Sequence, residues 1–179
     1  MKIRILMILA KEGYRDEEYE VPKGVFESEG FEVVTASTEL GEAKGKLGGF
    51  AHVDVCVYDV QAKDFDAVVF VGGPGAPSYW HDLRVEKLLQ DFSELKKVVA
   101  AICIAPTILA YAGLLEGKRA TVFNEDQDHV GENILREKGA LYTRADVIVD
   151  GNFVTACGPK PAEEFALAVV GVFHESDDS

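Results

Sequence analysis

The sequence predicts an α/β fold: a three-layer α/β/α sandwich around a mostly parallel sheet. Three features predict it. Continuous apolar runs such as IRILMILA (3–10) and DAVVFV (66–71) have the composition of strands buried on both faces, stretches with helical spacing separate them, and the runs end in glycine- or proline-bearing loops. Units alternating in this way are joined by right-handed crossovers, which places helices on both faces of the sheet.

IRILMILA supplies the first strand. DEEYEVPKGVFESEG (16–30) carries Tyr19, Pro22, Val25 and Phe26 at helical spacing and stops at Gly30, a residue type that ends helices readily. FEVVTAS (31–37) is the second strand. The glycine-rich stretch 40–66, with VDVCVYDV (53–60) inside it, reads as an excursion of small strands or a hairpin. A buried strand then runs into GGPGAP (72–77), RVEKLLQDFSEL (84–95) has amphipathic helix spacing, and KVVAAIC (97–103) is a strand. APTILAYAGLL (105–115) is helical, KRATVF (118–123) a strand, and DQDHVGENILREKG (126–139) a helix ending at Gly139. DVIVDGNFVTAC (146–157) is a hairpin turning on Asp-Gly-Asn, and AEEFALAVVGVFHE (162–175) closes the chain as a helix. With 47% hydrophobic residues and no repeat or low-complexity linker, residues 1–179 are expected to form one domain with a sizeable core.

Composition excludes several function classes. A formal charge of −13 with no Lys/Arg cluster repels phosphate backbones, so no nucleic-acid partner is expected. The apolar runs fall far short of the roughly 18 residues a membrane span requires, so no membrane partner is expected either. Met1-Lys2-Ile3 leads directly into a strand without a signal-peptide layout, and the expected location is the cytoplasm. Three cysteines, at 56, 103 and 157, form no CxxC pair, which argues against a disulfide framework and a zinc site; no metal or cofactor is expected. Cys56 and Cys157 lie inside strand patterns and read as structural.

Cys103 is different. It stands where an apolar strand switches to a helix, flanked two places away by the small Ala101 and Ala105, with Pro106 in the first helical turn. A sharp strand-to-helix turn projects its residue toward the carboxyl end of the sheet and tolerates only small neighbours, the geometry of a nucleophile elbow with sulfur in place of oxygen. In open α/β sheets that end is also where ligands bind. The following helix start favours thiolate over thiol. The Ile104 N–H is placed to receive an oxyanion. Gly73, in the other strand-end loop beside Gly72, is the expected second donor.

AAICIAPTILA (100–110) resembles the elbow of the DJ-1/PfpI superfamily, which includes PfpI-type intracellular proteases, glyoxalase or deglycase proteins and isocyanide hydratases. The similarity extends through EEYEVP (17–22), FVGGPGAP (70–77), IVDGNFVTACGP (148–159) and EEFALAVV (163–170). It implies a flavodoxin-like, glutamine-amidotransferase-like fold and a homodimer or larger homo-oligomer. It also implies that Glu18, four residues before Pro22, points at Cys103. An ionised carboxylate there would oppose a thiolate, whereas a protonated one can donate to it, so a neutral Glu18 beside a thiolate is expected. Asp16, Glu17 and Glu20 read as a solvated face.

The sequence departs from the family pattern at the histidine. Ile104 stands where PfpI-type proteases have histidine after the cysteine, and Asn124 where the deglycase branch has one. His129 is the nearest alternative imidazole. Tyr79, Trp80 and His81 are expected at the pocket mouth and Pro159 at its border, while His52 and His174 have no supporting context. Without an assigned triad, peptide hydrolysis is the harder chemistry. The expected function is cysteine-dependent chemistry on a small reactive carbonyl, with a hemithioacetal at Cys103 and Glu18 as proton shuttle. A PfpI-type protease or amidase and a redox sensor based on Cys103 oxidation are the alternatives.

Overall fold

The computed structural model describes residues 1–178. In chain order it contains β1 (Arg4–Ile8), β2 (Glu12–Tyr14), α1 (Asp16–Ser28), β3 (Glu32–Ser37), β4 (Gly41–Gly45), β5 (Phe50–Val53) and β6 (Val55–Cys56). β7 (Ala67–Phe70), α2 (Leu83–Glu94), β8 (Val98–Ile102), α3 (Pro106–Tyr111) and β9 (Arg119–Ala120) follow. The chain finishes with α4 (Val130–Glu137), β10 (Leu141–Tyr142), β11 (Val147–Asp150), β12 (Phe153–Ala156) and α5 (Ala162–Asp177).

The main sheet has seven strands in the order β11-β12-β8-β7-β1-β3-β6, all parallel except β11, which pairs antiparallel with β12. Strand side chains alternate between two cores, as the pleat requires. Leu6, Ile8, Val68, Phe70, Val99 and Ala101 face one core with α2, α3 and α4. Ile5, Met7, Val69, Ala100 and Ile102 face the other with α1 and α5. This is the expected flavodoxin-like three-layer arrangement. The chain leaves β1 toward one face and β7 toward the other, so a crevice opens between their carboxyl ends, where open α/β sheets bind ligands.

The excursion at 40–66 forms the β4–β5 hairpin, which joins β2 in a small separate sheet. Two readings need correction. The strand expected over 118–123 is only β9, and it pairs with β10 rather than the main sheet. Beyond it, Thr121 N–H donates to Thr155 Oγ1 (3.0 Å) and Phe123 N–H to the Cys103 carbonyl (2.8 Å), drawing the chain over the elbow. The helix expected from 126 begins at Val130: His129 has φ 50°, which no α-helix continues through, and Asp126 Oδ2 accepts from Val130 N–H at 2.8 Å. Among the described residues, no helix is long and apolar enough to cross a membrane.

Candidate active site

Cys103 follows β8 with φ 64°, a left-handed conformation that costs a side-chain-bearing residue roughly 1–2 kcal/mol. The surrounding backbone enforces it. Cys103 N–H donates to the Ala156 carbonyl (2.9 Å) and its carbonyl accepts from Phe123 N–H (2.8 Å), while Ala101 and Ala105 are fully buried. A larger residue at either alanine would have no space. Pro106 opens α3, where its missing N–H leaves no bond unmade.

The 71–77 loop beyond β7 packs against the segment that leads into α1. Arg15 N–H donates to the Gly72 carbonyl and Gly75 N–H to the Gly13 carbonyl, both at 2.9 Å. Gly73 has φ 111°, and a Cβ there would lie 2.4 Å from Arg15 N. Glycine is therefore required, and the tight packing fixes the first turn of α1 against the sheet end.

That turn carries Glu18. Its side chain is 0% exposed, and neither carboxyl oxygen has a hydrogen-bond partner of ordinary geometry. The Cys103 thiol and the Gly72 N–H lie close enough to influence its ionisation without completing such bonds. Burial raises the Glu18 carboxyl to about 7; the neighbouring Cys103 and Arg15 pull the other way and only partly offset it. Pro22, four residues on, has no N–H to give the Glu18 carbonyl, so the helix ladder is interrupted at this residue.

The sulfur departs from expectation. Burial raises the Cys103 thiol first, and the charge of an ionised Glu18 raises it further; backbone N–H groups of Ile104 and Gly73, directed at the sulfur, lower it. The sequence reading counted the helix start and the acid but not desolvation of the sulfur. The contribution from Glu18's charge vanishes once that carboxyl is protonated, so the ionisation of each group depends on that of the other.

A cavity of about 530 Å³ opens on the pair, and Arg15, Lys46, Gly73, Trp80, Ile104 and Pro159 are among its lining. Trp80 and Pro159 line it, and Gly72 lies between Glu18 and Cys103. Tyr79, His81, Asn124 and His129 do not line it. Tyr79 is buried in the core, donating to the Leu9 carbonyl (2.8 Å). His81 packs at a tilt against Tyr111, 4.4 Å between ring centres, Asn124 reaches toward Tyr142 Oη (3.4 Å), and His129 faces Glu132 (3.9 Å). His52 and His174 lie beside Asp54 and Glu29, so none of the four histidines joins Cys103.

Sequence reasoning missed Phe123 and Val130, which the displaced 121–130 segment brings to the cavity. The signal was one residue away, at Asn124. It also misread Asp16, which is buried and accepts from Leu47 and Gly49 N–H, both at 2.8 Å. A second hollow of about 500 Å³ lies between α1 and the hairpin, where Lys23 pairs with Glu27 and His52 faces Asp54; no cysteine lines it. No group of three or more His, Cys, Asp or Glu side chains that could hold a metal occurs among the described residues.

The chain is similar to known proteins over nearly its whole length. An uncharacterized protein of Methanocaldococcus jannaschii is 39% identical over 98% of this chain and 84% of its own. A deglycase of Thermococcus kodakarensis is 33% identical over 86% of this chain and 90% of its own. The crystal structure of a ThiJ/PfpI domain protein from Brachyspira murdochii superimposes with a TM-score of 0.92 at 39% identity, covering 98% of this chain and 99% of that one. Other relatives are named as a glutathione-independent glyoxalase and, provisionally, as a cysteine protease. The model of the DJ-1/PfpI family matches residues 3–171, a span that holds the elbow, the glycine loop and the buried glutamate alike. The chain therefore belongs to the DJ-1/PfpI family.

Proposed function

We propose that the protein is a cysteine-dependent enzyme that converts small α-oxoaldehydes, of which methylglyoxal is the simplest methyl ketone, into 2-hydroxy acids. The observation that carries this reading is the fully buried, unpartnered Glu18 carboxyl, raised to about 7, beside the Cys103 sulfur. A carboxyl with an affinity for protons near neutrality can both take and return one, which is what an internal rearrangement of a carbonyl needs.

The reactive form holds the shared proton on Glu18. Cys103 Sγ bonds to the aldehyde carbon, the carbonyl π pair moves to oxygen, and the resulting oxyanion rests on the Gly73 and Ile104 N–H groups. Glu18 gives its proton to that oxygen, forming a neutral hemithioacetal. As a carboxylate it then removes the hydrogen of the former aldehyde carbon as a proton, leaving an enediolate. The hydroxyl proton passes between the two oxygens, and Glu18 returns its proton to the neighbouring carbon, giving a thioester. Water cleaves the C–S bond, releases the 2-hydroxy acid and restores the shared proton. One water is consumed and no electrons are exchanged with an outside partner.

Amide hydrolysis finds less support. No imidazole lines the cavity, so no cysteine–histidine pair of the kind such hydrolases use is formed within this chain. Lactate formation from methylglyoxal, measured for wild type, Cys103→Ser and Glu18→Gln, tests the proposal. Loss of activity in both variants is expected, and equal rates in all three would contradict it.

A further inference from the structure

We infer that the preferred substrate carries an aromatic ring on its ketone carbon, so that the enzyme favours arylglyoxals over methylglyoxal, with Trp80 as the wall that receives the ring. The inference rests on the reactive-carbonyl reading and names the substrate class of that same site. Its first ground is size. The cavity measures about 530 Å³, within the range of about 300–1,000 Å³ typical of pockets that enclose far larger ligands than a three-carbon aldehyde. At ~30 Å³ per water molecule, methylglyoxal would leave most of it wet.

The second ground is the chemistry of the walls. Pro74, Pro77, Trp80, Phe123, Val130 and Pro159 line the cavity, and proline has almost no side-chain freedom to lose on contact. Rigid apolar walls with two aromatic rings suit a flat, rigid group, and aromatic pairs gain beyond simple burial. The charged groups select no net charge. Arg15 is engaged in two hydrogen bonds to Glu17 (2.7 and 3.1 Å), and Lys46 is opposed by Glu125 and Asp126 around the same cavity.

The third ground is how Trp80 is held. Its Nε1–H donates to Thr107 Oγ1 at 2.8 Å, and its ring lies against Tyr111 at 5.6 Å between centres. Thr107 is fully buried, and its hydroxyl donates to the Ile104 carbonyl. One threonine therefore ties the aromatic wall to the residue whose N–H faces the sulfur. Thr107 acts as a positioning residue, setting the distance from wall to reacting carbon.

The test compares kcat/KM for phenylglyoxal and methylglyoxal in wild type, Trp80→Ala, Thr107→Val and Cys103→Ser. Wild type should favour phenylglyoxal by about tenfold or more, chiefly through KM, and both Trp80→Ala and Thr107→Val should bring the ratio toward one. A binding measurement accompanies it, because Trp80 is the only tryptophan and its fluorescence reports the site. The product 2-hydroxy-2-phenylacetate should perturb that emission in wild type and in Cys103→Ser at concentrations where lactate does not. Cys103-dependent turnover of methylglyoxal with no preference for the aryl compound, or a preference untouched in Trp80→Ala, would overturn this inference alone. No Cys103-dependent turnover of either glyoxal would overturn the reading beneath it as well.

Discussion

The Glu18 carboxyl meets the Cys103 side chain across the bare backbone of Gly72: a Cβ on that glycine would lie 2.6 Å from Glu18 Oε2 and 2.7 Å from Cys103 Cβ. The proposed chemistry depends on that absent methyl group. The same Cβ would also fall 2.6 Å from the Ile102 carbonyl, which belongs to a central strand and cannot yield. Gly72→Ala should therefore lower stability by about 1–3 kcal/mol and reduce activity more than a hundredfold. Thermal melting and kinetics on the folded variant check this. An alanine variant with wild-type rates would show that the two side chains need not adjoin.

Glu18 should make the protein less stable as pH rises. Burial lifts its carboxyl from 4.5 to about 7, so between these values the native chain keeps a proton that the unfolded chain has lost. The stabilising contribution is complete below the unfolded value and is lost as pH climbs through the folded one, an effect on the order of 3 kcal/mol. Glu18→Gln cannot ionise. It should withstand denaturant better than wild type at about pH 8, with the gap closing near pH 4.5. Parallel curves for the two proteins across that interval would exclude a raised carboxyl.

Asp16 should act through the loop it holds. Its two oxygens accept from Leu47 and Gly49 N–H, and a Cβ on Gly45 or Gly49 would collide with its carboxyl at 2.3 and 2.5 Å. Asp16→Ala leaves two amides unpaired and should cost about 1–3 kcal/mol. Hydrogen exchange should speed up at Leu47 and Gly49 ahead of the sheet amides. Unaltered protection at those two positions would count against the role.

The elbow and the glycine loop are legible in the sequence because their constraints are local. A strand run, two alanines and a proline specify the turn at Cys103, and paired glycines specify a close backbone approach at Gly72 and Gly73. Glu18 is legible only through family spacing. Four acids stand in its helix start, and periodicity alone does not separate the buried Glu18 and Asp16 from Glu17 and Glu20. The Phe123 and Val130 walls are hidden for another reason. Hydrogen bonds from Thr121 N–H to Thr155 Oγ1 and from Phe123 N–H to the Cys103 carbonyl carry that segment off its expected course, and contacts so distant leave no mark on residue spacing. The histidines and Tyr79 mislead because polar aromatic residues near a loop also serve as plain packing, as the Tyr79 bond to Leu9 shows.

The pH dependence of Cys103 alkylation by iodoacetamide, in wild type and in Glu18→Gln, tests the shared proton most directly. In wild type the rate should rise as the pair loses its first proton, near the Glu18 value of about 7. In Glu18→Gln the sulfur has no acid to hold its proton, and burial should push the inflection above the ordinary thiol value of 9.0. A single unshifted profile in both proteins, centred on an ordinary thiol, would contradict a proton shared between Glu18 and Cys103.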